Sequence, residues 1–127
     1  MKPATREWIA KAEGDFATAR RELAVVDEPN PDAVCFHAQQ CVEKCLKAVL
    51  IEHGREIPKT HDLSVVLSLV VIVEPSWEYL REELNSLTDR AVEVRYPGSS
   101  SEHGDAREAF EIASKVRGLV RERLVRA

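Results

Sequence analysis

Four groups of residues in this chain carry side chains capable of chemistry. His37, Cys41 and Cys45 recur at four-residue steps, a spacing that lines side chains along one helical face. An imidazole and two thiolates suit a soft metal, but zinc needs three or four converging ligands, usually drawn from more than one element. No second Cys or His pair stands at ligand spacing elsewhere. The expectation is therefore two small buried thiols beside a partly satisfied imidazole, with no metal and no cofactor. Cysteines on adjacent helical turns are also badly placed for a disulfide, because the helix fixes their Cβ directions.

The second group is the polar stripe Gln40, Glu43, Lys44 and Lys47, spaced i, i+3, i+4 and i+7. Two readings stay open: a solvated strip containing a Glu43–Lys47 pair, or a polar seam at a dimer interface or pocket mouth. The third is the run Arg95-Tyr96-Pro97-Gly98-Ser99-Ser100-Ser101. A guanidinium, a Pro-Gly turn, three hydroxyls and the free N–H groups of a following helix favour an anion such as phosphate. Lys44 and Lys47 would enlarge that field if their helix packs beside the turn. The competing reading has Ser99 or Ser101 capping the next helix and Arg95 paired with Glu102 or Asp105. The fourth group, His61-Asp62, has no nucleophile placed with it and reads as turn and cap rather than catalysis.

Helices position all four groups. Trp8, Ile9, Ala12, Phe16, Ala19, Leu23 and Val26 recur mostly at three- and four-residue steps, which predicts a first helix over about residues 4 to 26. Asp27-Glu28-Pro29-Asn30-Pro31-Asp32 must break it, with Pro31 near the start of the next. That second helix runs from about 31 to 53 and stops at Gly54, suited to a left-handed C-terminal cap. Its apolar residues cover more than half the circumference, so it should lie at the centre. Leu63 to Val73 suits either a buried strand or a short helix. Asp62 in the N-cap position and Ser64 and Ser68 four apart favour the helix. Trp77, Leu80, Leu84, Leu87, Ala91 and Val94 predict a fourth helix, whose near-heptad pattern offers a dimer face. A fifth runs from about 103 to 126, with a Glu111–Lys115 pair outside. Four long helices and one short one, joined by short loops, define an all-α, antiparallel four-helix up-and-down bundle with an additional short helix.

Composition narrows the function. The 127 residues suit one domain, and 18 Lys and Arg against 22 Asp and Glu give a net charge of −4. A general coat of nucleic acid is excluded, so any nucleic-acid site must be local. With 44% hydrophobic and 31% charged residues the chain has an ordinary core and surface. No apolar run approaches the roughly 18 residues of a membrane span, and the N-terminus has no apolar secretory centre. A cytoplasmic protein with reduced cysteines is expected.

The second helix also carries a family resemblance. Cys35-Phe36-His37-Ala38-Gln39-Gln40-Cys41-Val42-Glu43-Lys44-Cys45-Leu46-Lys47-Ala48-Val49-Leu50 resembles the signature of HEPN domains, in which an aromatic, a Gln pair, Glu-Lys and a second Lys-Ala follow in this order. Trp8, Lys11-Ala12-Glu13 and Asp15 resemble the family's first helix, Thr60-His61-Asp62-Leu63 its third-helix entry, and Arg95-Tyr96-Pro97-Gly98 the turn before its last helix. The resemblance spans most of the chain and implies a single helical domain over residues 1–127. It further implies a module that commonly dimerises and is often paired with a small nucleotidyltransferase as toxin and antitoxin.

Some HEPN members are metal-independent ribonucleases carrying Arg, roughly four to six residues, then His. Here Arg95 and His103 enclose seven residues, and Gly104-Asp105 stands where a tyrosine open to adenylylation would follow the His. No catalytic site is carried over. The leading expectation is a dimeric module that binds a nucleotide or RNA phosphate through Arg95, Tyr96, Ser99, Ser100, Ser101, Lys44 and Lys47, together with a nucleotidyltransferase partner. The alternatives are a ribonuclease using Arg95 and His103, or a purely structural oligomer.

Overall fold

A computed structural model describes all residues except 94–96, 99 and 127, and the side chain of residue 126. It contains α1 (Pro3–Leu23), α2 (Pro31–Glu52), α3 (Leu63–Val73), a 3₁₀ segment (Pro75–Leu80), α4 (Arg81–Glu93) and α5 (His103–Arg126). No strand occurs among the described residues.

Local chemistry sets the boundaries. Pro3 and Pro31 begin α1 and α2, where a missing N–H costs nothing. Asn30 Oδ1 accepts the N–H of Ala33 at 3.1 Å as the α2 cap. Gly54, with φ +67°, takes the left-handed conformation that ends α2. Asp62 Oδ1 accepts from Ser64 N at 3.0 Å and starts α3, as its position predicts. α1 stops three residues short of the expected end because Val25 and Val26 are exposed and give the chain no face to bury. The expected fourth helix is divided, since Pro75 opens a tighter 3₁₀ segment and the α-helix proper begins at Arg81.

The pairing of ends gives the topology. Thr5 bonds Glu52 and Asp15 bonds His37, so α1 and α2 run antiparallel. Arg90 at the end of α4 pairs with Asp105 at the start of α5, so those two are antiparallel as well. Ser101 meets Asp32 at one end of the bundle and Arg123 meets His53 at the other, which makes α2 and α5 parallel. α1, α2, α4 and α5 form the up-and-down bundle, with α3 the additional helix.

α2 sits at the centre, with Val34, Cys35, Ala38, Cys41, Val42, Leu46, Ala48, Val49 and Leu50 buried. Burial of one such Val or Leu side chain is worth about 1.5–3 kcal/mol. Trp77, Leu80, Leu84 and Leu87 belong to the same core. This corrects their assignment to a dimer face, because one bundle already buries them. Lys115 likewise pairs with Glu83 of α4 at 2.6 Å rather than with Glu111, fastening two helices instead of decorating one.

Candidate functional site

Two polar constructions emerge at different heights along α2. The first joins the start of α5 to the start of α2. Asp32 Oδ1 accepts the backbone N–H of Ser101 at 2.6 Å. The Cys35 thiol donates to the Ser101 hydroxyl at 3.5 Å. Asp105 Oδ2 accepts the backbone N–H of Glu102 at 2.9 Å, and its other oxygen pairs with Arg90 at 3.2 Å. The two N–H groups just ahead of α5, those of Ser101 and Glu102, are thus held by two carboxylates of the chain itself.

Within this region Ser101 is buried, Ser100 and His103 are exposed, and Gly98 adopts φ +89° in the turn. Arg95, Tyr96 and Ser99 lie outside the described residues. Asp105, named as a partner for Arg95, is engaged by Arg90. Burial pushes the Cys35 thiol above its ordinary range, outweighing the hydrogen bond with Ser101 and the nearby Arg90.

Lys44 and Lys47 stand elsewhere. They are twelve and fifteen residues beyond Asp32 on α2, about 18 and 22 Å along the axis at 1.5 Å per residue. Their grouping with the turn is therefore corrected by distance. Lys44 Nζ contacts Asp15 Oδ2 at 2.5 Å, and the same carboxylate takes His37 Nδ1 at 2.8 Å. Lys44 also borders an open hollow of about 590 Å³ with Glu7, Trp8 and Lys11.

Lys47 belongs to the second construction, which centres on Glu43. Lys47 Nζ donates to Glu43 Oε2 at 2.9 Å and to the Thr60 carbonyl at 3.1 Å, and lies 5.9 Å from the Trp8 ring centroid. Gln39 Nε2 donates to Glu43 Oε1 at 3.2 Å and to the His61 carbonyl at 2.8 Å. His61 Nδ1 completes the set at 2.9 Å from Glu43 Oε1. Glu43 is only 4% exposed and Lys47 only 6%, so the solvated-strip reading fails for these two residues. Burial alone would push the Glu43 carboxyl up, but hydrogen bonds from Lys47, His61 and Gln39 together outweigh it and hold the group below its ordinary range.

Sequence patterning exposes the Glu43–Lys47 pair because it is an i, i+4 contact. It misses Asp32, Asp15 and the Glu43–His61 contact, whose partners lie 69, 22 and 18 positions away. His37, Cys41 and Cys45 do not act as a set: His37 is bonded to Asp15, whereas Cys41 and Cys45 are buried. Among the described residues no group of three or more His, Cys, Asp or Glu is arranged to hold a metal ion. Among them, too, no helix is long and apolar enough to cross a membrane.

A helical bundle with a polar-faced central helix defines the class, and comparison with known proteins supplies the family. The chain belongs to the HEPN domain family, whose model matches residues 5–123. A Methanocaldococcus jannaschii protein named "Putative toxin MJ1304" is 37% identical over 97 residues, which are 71% of this chain and 61% of that protein. The chain thus spans less than two thirds of that relative's length. Two solved structures share the fold. TT1696 from Thermus thermophilus superimposes with a TM-score of 0.81 at 22% identity, covering 95% of this chain and 98% of that one. ST0689, described as an archaeal HEPN homologue, gives a TM-score of 0.75 at 24% identity, covering 97% and 98%.

Proposed function

We propose that this chain is the HEPN component of a toxin–antitoxin pair, a dimeric module in one domain that binds the phosphate of a nucleotide or RNA at the turn before α5 and docks a nucleotidyltransferase partner. The observation that carries this reading is family membership across residues 5–123 together with the resemblance to a relative named as a toxin. The local chemistry is compatible with an anion. A helix N-terminus opens at the turn, Gly98 has the backbone freedom to present its N–H, and Arg90 stands 3.2 Å from Asp105 at the same place. A phosphate that takes the N–H of Ser101 or Glu102 displaces the Asp32 or Asp105 carboxylate.

Co-expression with a small nucleotidyltransferase encoded beside it tests the pairing. A stable complex that relieves growth arrest caused by this chain alone supports the reading. Absence of both toxicity and complex formation removes it. Light scattering at micromolar concentration tests the dimer, and binding of short RNA and of nucleoside triphosphates tests the ligand. Cleavage of RNA requiring both Arg95 and His103 would instead favour the ribonuclease reading.

A further inference from the structure

The Glu43 construction does more than a structural tie needs. The backbone of residues 60 and 61 is already gripped by Lys47 on the Thr60 carbonyl and Gln39 on the His61 carbonyl. In addition, the imidazole of His61 is fixed by its Nδ1 to a carboxylate whose side chain is 5% exposed, while the imidazole side chain itself is 67% exposed. Glu43 is held on both oxygens, Oε1 by Gln39 and His61 and Oε2 by Lys47, so it cannot turn away. An ionised carboxylate only accepts hydrogen bonds, so Nδ1 of the neutral ring carries the proton and Nε2 carries the lone pair. Nε2 has no hydrogen bond among the described residues and belongs to a side chain that is two-thirds exposed. A carboxylate hydrogen-bonded to one ring nitrogen fixes the tautomer and the orientation of the ring and offsets positive charge that develops on it during reaction.

The other histidines lack this combination. His53 uses both nitrogens, Nδ1 at 2.9 Å from the Val49 carbonyl and Nε2 at 3.1 Å from Arg123. His37 has a carboxylate partner in Asp15, but its side chain is only 30% exposed. His103 is exposed at the first position of α5, where no contact among the described residues orients its ring.

We infer that His61 Nε2 is a phosphoryl-accepting nucleophile, oriented by Glu43 and open to a small donor of the phosphoramidate or phosphoric-anhydride class. The Nε2 lone pair forms the N–P bond as the donor's P–N or P–O bond breaks. The leaving group departs with that bond's electron pair. The Nδ1 proton stays on its contact with Glu43, and the carboxylate balances the charge of the substituted ring. Glu43 is a positioning residue and does not touch the phosphorus. This inference is independent of the turn before α5, because it concerns a different stretch of α2.

The test treats the full chain with potassium phosphoramidate or acetyl phosphate and follows acid-labile phosphoryl groups by ³¹P NMR and intact mass, with site mapping. His61 should label first, about tenfold or more faster than the exposed His103, in line with what outer carboxylates contribute elsewhere. His61→Gln should abolish the fast phase without altering the circular dichroism. Glu43→Gln combined with Lys47→Gln removes both buried charges together, so that the fold survives, and should slow His61 to the rate of His103 and change its rate–pH profile. Equal labelling of His61 and His103 in the unmodified chain would overturn the inference, as would unchanged His61 labelling in a folded double variant.

Discussion

Asp32 Oδ1 receives the backbone N–H of Ser101 at 2.6 Å, across 69 positions of sequence. A carboxylate from the first turn of α2 thereby occupies the place that an anion's oxygen would take at the entry to α5. Asp105 does the same for the next N–H, at 2.9 Å. The segment leading into α5 is therefore screened from within, and the two carboxylates repel an anion approaching the first N–H groups of the helix.

Asp32→Ala should consequently have two opposed effects. It removes a charge-assisted hydrogen bond and a favourable first-turn acid of α2, at a cost of about 1–2 kcal/mol in urea denaturation. It also frees the Ser101 N–H and removes a repelling charge, so pyrophosphate affinity should rise severalfold in titration calorimetry. Lower stability with unchanged or weaker pyrophosphate binding would show that Asp32 does not screen this position.

The Glu43–Lys47 pair should be sensitive to loss of either member alone. Lys47→Met leaves a buried carboxylate without its cation, and breaking such pairs costs about 3–5 kcal/mol. Glu43→Gln with Lys47→Met should cost less than Lys47→Met alone, and a double-mutant cycle measures the coupling. The pH dependence has a definite sign. The folded carboxyl titrates below its ordinary value of 4.5, so it contributes stability that is complete above that value and disappears as the pH falls through the lower folded one. Acid titration of stability should show a shallower loss below about pH 4.5 in the double variant than in the unmodified chain.

Much of this architecture is legible in sequence, for a physical reason. Capping and helical periodicity are local: Asp62 and Ser64 are two residues apart, and their contact is what starts α3. The central position of α2 follows from its wide apolar arc, and burial bears it out. Contacts across the bundle leave no such trace. Glu43, with Lys47 four residues on, looks like any solvated charge pair until the Thr60 carbonyl meets Lys47 and His61 closes on the other carboxylate oxygen. Lys44 looks equally free until Asp15, from a different helix, claims it. Trp77, Leu80, Leu84 and Leu87 have the same spacing whether they face a partner or their own core, and only the packing of the 3₁₀ segment and α4 decides.

The three thiols should be inert in the folded protein. Burial pushes the Cys35 thiol up, and for Cys45 the hydrogen bond with Cys41 adds to burial to push it far higher. The thiolate is the reactive form and is disfavoured at Cys35 and Cys45, while Cys41 is buried away from reagent. Ellman's reagent should titrate few thiols in native buffer and all three after addition of guanidinium. Stoichiometric zinc in the purified protein, lost in Cys41→Ala with Cys45→Ala, would contradict this, and a chelator should leave the melting temperature unchanged.

The last prediction separates Arg95 from His103. Arg95 stands two residues beyond the end of α4 at Glu93 and immediately before Tyr96-Pro97-Gly98. In the proposed reading its planar fork meets a phosphate at the positive end of α5, where charge and backbone donors add. A charge-assisted pair of this kind contributes about 1.5–3 kcal/mol, so Arg95→Ala should weaken nucleotide or short-RNA binding by roughly 10- to 150-fold. His103 is exposed on the first turn of α5, where no contact among the described residues orients its ring. Replacing it with Ala should change binding by less than about twofold, since an exposed ring that nothing holds in place offers the ligand no fixed contact. Binding and RNA cleavage are measured for the unmodified chain and both variants. Loss of binding confined to Arg95→Ala supports the binding module, whereas cleavage abolished equally by both changes favours the ribonuclease. An unmodified chain that neither binds nor cuts leaves a structural oligomer as the better account.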